Sequence, residues 1–265
     1  RDTEMMVTDP RIAMISFTGS AAVGWMLKAK AGQKKVVLEL GGNAGVIVHN
    51  DADLTLAASQ TATGAFTNAG QNCISVQRIL VQQDIFDTFA AQFIDNVKSL
   101  KVGDPRNAET DIGPMITLND AKRATHWVNE AKKAGASVLY GGTPDGTMFP
   151  PTVMTETSPD MKVVCEEVFA PIVTLAKYNT WDEAVDIINN SAYGLQAGVF
   201  TNDMKRIMDA WERIDVGGLQ VNSASTFRVD HMPYGGIKAS GFGREGVKYT
   251  IEDMTELRLM VLNLS

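Results

Sequence analysis

Two side chains stand in settings that suit chemistry better than packing. Cys73 lies in Asn68-Ala69-Gly70-Gln71-Asn72-Cys73-Ile74-Ser75, where a helical pattern ends and a strand pattern begins. Small and polar neighbours surround it, whereas a packing cysteine normally sits in an apolar run. A thiol so placed can serve as a nucleophile; an inert thiol is the alternative. Glu39 interrupts the apolar run Val36-Val37-Leu38-Glu39-Leu40 just before Gly41-Gly42. A carboxylate in a buried strand is costly unless paired or used. Desolvation raises its pKa toward the range of a general base. A solvent-facing glutamate on an edge strand is the competing reading. The third segment, Cys165-Glu166-Glu167-Val168-Phe169-Ala170-Pro171, reads alone as an ordinary loop. Its two acids raise the thiol pKa of Cys165 and make it the poorer nucleophile of the two cysteines.

The elements that must position these residues alternate between strand and helix almost from end to end. Short apolar runs at Ile12–Phe17, Val36–Leu40, Val46–Val48, Gln77–Val81, Ile172–Lys177, Gln196–Phe200 and Gly218–Val221 predict strands. Thr18-Gly19-Ser20 is a turn that can cap a helix through about Lys30. Asn50 or Asp51 is the expected N-cap of a helix over Leu54–Thr67, and Asn202 of a later one. Over Ile85–Leu100, Phe86, Phe89, Phe93, Ile94 and Val97 share one helical face. Leu118–Lys133 reads as a helix ending at Gly135, and Ser137–Tyr140 as a short strand. Thr180-Trp181-Asp182-Glu183 is a capping box. Leu257–Leu264 predicts a closing apolar strand. This alternation argues for an α/β fold of mostly parallel sheets with helices on both faces.

Composition narrows the partners. With 24 basic and 31 acidic side chains in 265 residues, the net charge is −7, which argues against nucleic acid. The hydrophobic share of 45% argues against disorder, and no apolar run approaches the ~18–20 residues of a membrane span. Two cysteines exclude a disulfide framework. Arg1-Asp2-Thr3-Glu4 carries no signal-like apolar stretch, and a cytoplasmic protein starting in mid-chain is expected. His49, His126 and His231 are scattered, and no HExxH, CxxC or EF-hand pattern occurs, so no metal is expected. Gly241-Phe242-Gly243-Arg244-Glu245-Gly246 matches GxGxxG, but no strand precedes it, and it reads as accidental.

Taken together, these pieces resemble the NAD(P)-dependent aldehyde dehydrogenase superfamily. The resemblance rests on Phe17-Thr18-Gly19-Ser20 with Val23-Gly24, then Leu38-Glu39-Leu40-Gly41-Gly42-Asn43, Gly70-Gln71-Asn72-Cys73 and Gly103-Asp104-Pro105. It continues through Ile112-Gly113-Pro114 and Glu166-Glu167-Val168-Phe169-Ala170-Pro171 to Pro233-Tyr234-Gly235-Gly236-Ile237-Lys238 and Ser240–Gly246, all in family order. Members of the family run nearly twice this length. Their first portion, which holds the oxyanion-hole asparagine and a ribose-binding lysine, has no counterpart here. Ala170 also stands where the family usually has glycine.

The resemblance implies that residues 1–41 are a remnant of a dinucleotide-binding domain and 42–246 a catalytic domain. Residues 247–265 would form a C-terminal segment with an oligomerisation strand. It implies oxidation of an aldehyde to its acid with reduction of NAD or NADP. Cys73 would be the nucleophile, passing through a thiohemiacetal and a thioester, and Glu39 the general base. Gly19 and Ser20 would meet the pyrophosphate, Glu167 the nicotinamide-side ribose, Phe169 the nicotinamide ring and Leu40 its carboxamide side. Phe227 and Arg228 would line the aldehyde tunnel, Arg228 pairing with an anionic group on the substrate; an internal salt bridge, for example to Asp230, is the alternative. The expected partners are a small aldehyde and further copies of the chain, as a dimer or tetramer. A CoA-acylating enzyme is disfavoured by Glu39. A chain confined to this portion is expected to be catalytically inactive, and a non-catalytic assembly module remains an alternative.

Overall fold

β-branched and aliphatic runs bounded by glycine or polar turns make the strands, and alternation within them decides which helices cover which face. The computed structural model describes residues 2–264. In chain order the elements are α1 (Asp2–Thr8), β1 (Met14–Thr18), α2 (Ala21–Lys30), β2 (Lys35–Glu39), β3 (Ala44–Val48), α3 (Leu54–Phe66) and β4 (Val76–Gln82). There follow α4 (Phe86–Ser99), α5 (Leu118–Lys133), β5 (Ser137–Tyr140), β6 (Thr152–Thr155), α6 (Lys162–Cys165) and β7 (Ile172–Tyr178). The remainder are α7 (Trp181–Asn189), β8 (Tyr193–Gly194), β9 (Gln196–Phe200), α8 (Met204–Arg213), β10 (Gly218–Val221), β11 (Ile237–Lys238), β12 (Gly241–Phe242) and α9 (Val247–Met254).

The main sheet has seven strands in the order β10-β9-β3-β4-β7-β6-β5. All neighbours are parallel except β5, which runs antiparallel to β6. Val46, Val48, Ile79 and Val81 face a core closed by α3 and α4, with Phe89 and Phe93 fully buried. Each such phenylalanine contributes about 2–3 kcal/mol of apolar burial. Ile47 and Leu80 point the other way, onto α7 and α8 through Val185, Ile188 and Ala210. Helices therefore cover both faces, as the alternating pattern predicts.

A smaller sheet, β1-β2-β12, leads into the main one through Gly41-Gly42. β1 and β2 are parallel, and β12 returns antiparallel to β2. Glu39 therefore ends a central strand, paired with Thr18 on one side and Gly241 on the other, rather than an exposed edge.

Several local expectations are corrected. Asp53, not Asn50 or Asp51, caps α3 by accepting the Leu56 N–H at 3.0 Å. Asp51 instead accepts the Thr201 hydroxyl at 2.7 Å and the Asn202 N–H at 3.0 Å. That engagement removes Asn202 as a cap, and Asp203 caps α8 through the Lys205 N–H. β6 and α6 span four residues each, too short for a periodic signal. The predicted strand Leu257–Leu264 does not form: the segment has no regular structure, and Leu257, Leu259, Met260, Val261, Leu262 and Leu264 are exposed. A strand needs a neighbour for its N–H and C=O groups, and no segment of the chain pairs with this one among the described residues.

Candidate active site

The ends of β2, α2 and α3 and the loop before β7 converge on one cleft of about 670 Å³. It is lined by Gly19, Ser20, Glu39, Leu40, Cys73, Glu167 and Phe169, all anticipated, and by residues the sequence reading assigned no role, among them Gln71, Arg123 and Trp127.

Cys73 is delivered by a strained turn. After α3 the chain makes a 3₁₀ turn, Thr67–Gly70, in which Asn68 and Ala69 adopt positive φ of 55°. Left-handed non-glycine residues cost energy and concentrate at functional sites. The backbones are closely apposed here, since a Cβ on Gly42 would lie 2.0 Å from the Cys73 carbonyl oxygen. Only glycine fits that approach. The Cys73 Sγ lies 3.3 Å from the Tyr234 hydroxyl and 3.7 Å from Asn72 Oδ1. Asn72 Oδ1 also accepts the Ile74 N–H, which holds the turn. Burial pushes the Cys73 thiol up, the Tyr234 hydroxyl pulls it down, and the charges of Glu167 and Glu39 raise it further. Cys165 lies outside the cleft and is exposed; partial burial and then Glu166 raise its thiol as well. Exposure and position separate the two cysteines more than the direction of their titration does.

Glu39 is 5% exposed, and neither carboxylate oxygen has a hydrogen-bond partner among the described residues. Burial and then repulsion from Glu245 push its pKa up to about 8, against the opposing pull of Arg228 and Arg244. A carboxyl in this state is neutral at neutral pH and becomes a strong base once deprotonated.

The segment that carries Glu167 is held by amide side chains that sequence reasoning missed. The Gly42 N–H donates to Glu167 Oε1 at 2.8 Å. The preceding carbonyl, of Glu166, accepts both Gln77 Nε2 at 2.7 Å and Asn43 Nδ2 at 3.0 Å. Gln77 Oε1 accepts the Val168 N–H at 2.9 Å, and Asn43 Nδ2 also reaches the Val164 carbonyl. Gln77 and Asn43 are themselves buried. A glutamine at an inward position of β4 was the available signal. Phe169 follows at a positive φ of 47°, a further strained residue at the cleft. Gln71 ties the cysteine turn to the approach of α5 by accepting the Ile116 N–H at 2.8 Å. On α5, Arg123 lies over the Trp127 ring at 4.9 Å.

The donor set suits a nicotinamide dinucleotide. Gly19 and Ser20 open the ten-residue helix α2, whose first turn carries no acidic residue and whose Ser20 side chain makes no capping bond. That leaves amide donors and a hydroxyl for an anion. Glu167 Oε2 accepts no protein hydrogen bond among the described residues, which suits a ribose hydroxyl. Leu40, Phe169 and Trp127 supply apolar wall. Leu40 packs so closely on α2 that a Cβ on Gly24 would lie 2.3 Å from its Cδ2.

The two predicted aldehyde-tunnel residues are not in this cleft. Phe227 is 51% exposed. Arg228 pairs with Glu245 at 3.2 Å, not with Asp230, and its guanidinium stacks over Tyr234 at 4.2 Å.

The profile of the aldehyde dehydrogenase family matches residues 3–260. A 3-sulfolactaldehyde dehydrogenase of Priestia megaterium is 51% identical over 261 residues, covering 98% of this chain and 55% of the relative. A lactaldehyde dehydrogenase of Methanococcus maripaludis is 43% identical over 253 residues, covering 96% of this chain and 54% of the relative. Among solved structures, the NADP-dependent glyceraldehyde-3-phosphate dehydrogenase of Bacillus halodurans, complexed with NADP, superposes with a TM-score of 0.96 at 37% identity. That match covers 99% of this chain and 55% of the other. The chain thus spans about half the length of the relatives it matches. On the extent of the family match and the identity to these relatives, the chain belongs to the aldehyde dehydrogenase family.

Proposed function

We propose that this chain supplies the nucleophile, the general base and part of the dinucleotide site of an enzyme that oxidises an aldehyde to its carboxylic acid with NAD or NADP. The convergence of Cys73, a neutral buried Glu39 and the Glu167 carboxylate on one cleft carries this reading. The Cys73 sulfur adds to the aldehyde carbon, a C–S bond forms, and the carbonyl π pair moves to oxygen. The Cys73 backbone N–H, free of backbone acceptors among the described residues, is a donor to that oxygen. When bound, the nicotinamide nucleotide supplies the acceptor for the hydride lost from this adduct, which leaves an acyl thioester on Cys73. Gly19, Ser20, Leu40, Glu167 and Phe169 hold the nucleotide. Glu39, once deprotonated, takes a proton from water, and the hydroxide equivalent attacks the thioester and returns Cys73 as the leaving group.

The relatives direct the substrate assay toward short hydroxyaldehydes, neutral and anionic. To pair with an anionic substrate, Arg228 has to leave Glu245. We place the protein in the cytoplasm as a homo-oligomer; the exposed apolar run over Leu257–Leu264 supports the self-association. The 265-residue chain on its own is proposed to be inactive, because positioned groups add rate only when cofactor and oxyanion are held in register. The test pairs two samples, the isolated chain and the same chain within a protein of its relatives' length. Aldehyde-dependent NAD(P)H formation is expected only in the second, and there Cys73→Ser abolishes it. Undiminished turnover by Cys73→Ser refutes the mechanism, and robust turnover by the isolated chain refutes the claim of inactivity.

A further inference from the structure

Tyr234 enters the site from the loop after β10 and is 7% exposed. Its hydroxyl makes one hydrogen bond among the described residues, to Cys73 Sγ at 3.3 Å. Around that contact, Ile74 and Leu195 pack with Tyr234 and Cys73 into a small apolar cluster. A sulfur that ionises there gives up part of its hydration, and the phenol replaces it. Burial and the neighbouring thiol push the ionisation of the phenol far above its ordinary range, so Tyr234 stays protonated while Cys73 titrates. The phenol is therefore the donor whenever the sulfur is charged. A neutral thiol accepts weakly and a thiolate strongly, so the bond favours the charged form.

The ring is held in place from two sides. Tyr234 and Glu245 exchange backbone hydrogen bonds at 3.1 and 2.6 Å. The Arg228 guanidinium, paired with Glu245, lies 4.2 Å from the ring centroid. A cation over the ring withdraws density from the hydroxyl and makes it a better donor.

We propose that Tyr234 is a further catalytic residue, whose hydroxyl donates to Cys73 Sγ, stabilises the thiolate and aims the sulfur into the cleft. The assignment rests on the reading of Cys73 as the nucleophile. The thiol proton leaves to water in the cleft, the new C–S bond takes the sulfur lone pair, and the Tyr234 proton stays on its oxygen throughout. Arg228, anticipated as a substrate contact, becomes a positioning residue for this donor.

The test needs neither substrate nor cofactor. Iodoacetamide labelling of the 265-residue chain is followed separately on the Cys73 and Cys165 peptides from pH 6 to 10. In Tyr234→Phe, which keeps the ring, the Cys73 labelling midpoint should rise by about one to two pH units, and its rate at pH 7.5 should fall about tenfold or more. The Cys165 profile should not move. Replacing tyrosine by the more acidic 3-fluorotyrosine should shift the Cys73 midpoint downward, and this arm decides the matter if Tyr234→Phe does not fold. An unchanged Cys73 midpoint, or a shift shared by Cys165, overturns the proposal. Its failure is distinct from failure of the nucleophile reading. The latter is decided by Cys73→Ser turnover in the longer protein, whereas the labelling midpoint reports the hydrogen bond whatever the thiol does.

Discussion

Glu39 should make the stability of this protein depend on pH in a direction opposite to that of most carboxylates. Its folded pKa is pushed up to about 8 from an ordinary 4.5, chiefly by burial. Below pH 4.5 the carboxyl is protonated in both the folded and unfolded chains, and its contribution is fully present. Between 4.5 and 8 the unfolded chain ionises while the folded chain does not, so stability falls as pH rises. Above 8 both are ionised and the loss is complete. The full shift corresponds to about 5 kcal/mol at ~1.36 kcal/mol per unit. Water entering the open cleft, and rotation of Arg228 and Arg244 toward the charge, screen part of it, so a fall of about 2–4 kcal/mol is expected. The assay is urea unfolding of the wild type and Glu39→Gln, followed by tryptophan fluorescence at intervals from pH 5 to 9. The amide of the variant leaves unsatisfied polar atoms at every pH. It therefore offsets the whole curve without changing its slope, and the difference between the curves isolates the ionisation. The variant should gain on the wild type steadily up to about pH 8 and then run parallel to it. Two curves parallel across the whole range would refute a buried, neutral Glu39.

Other parts of the site make their own predictions. Gln77→Glu keeps the acceptor for the Val168 N–H but loses both donors to the Val163 and Glu166 carbonyls. Hydrogen exchange at the Gly42 amide, bonded to Glu167, should accelerate by about tenfold or more, while amides of the β3–β4 pair hold their protection. Gly42→Ala places a Cβ against the Cys73 carbonyl and should destabilise the chain by about 1–3 kcal/mol, read as a lower urea midpoint. Removing residues 256–265 takes away an exposed apolar run and should shift light scattering from an oligomer toward a monomer; an unchanged mass would exclude this segment from the interface.

Legibility in the sequence followed the range of the interactions involved. α5 begins and ends where its periodicity and flanking residues place it, and the Thr180 capping box is present with Glu183. Such elements are decided by neighbours three or four residues away. Of the cleft residues, Cys73 and Glu39 stand out by their local setting, a thiol among small polar residues and a carboxylate in an apolar strand, whereas Gly19, Ser20, Leu40, Glu167 and Phe169 were legible only through the family resemblance. The Cys73–Tyr234 bond joins residues 161 apart, and nothing near Tyr234 signals it. The ion-pair partner of Arg228 was hidden in the same way: Asp230 is its sequence neighbour, but the backbone pairing of Tyr234 with Glu245 brings a more distant carboxylate to it. The C-terminal run has the composition of a strand and lacks the partner that would make it one.

In the cleft, the two groups proposed to react are both pushed toward their neutral forms. Burial is the first cause for each, and the charge of Glu39 itself raises Cys73. The site therefore resists carrying two negative charges at once, and the two steps assigned to these residues do not need them together. Addition to the carbonyl needs the thiolate with Glu39 still protonated. Release of the acid needs the carboxylate after the sulfur has been capped as a neutral thioester. Acylation removes the sulfur charge from the neighbourhood of Glu39 and leaves Glu245 as the carboxylate opposing its ionisation. The role proposed for Tyr234 fits this division of labour on the sulfur side: its hydroxyl would favour the thiolate in the first step and make no comparable bond to a thioester sulfur, which accepts weakly. On the proposed mechanism, the same buried surroundings that make each charge costly thus let the base be freed after the nucleophile has been used.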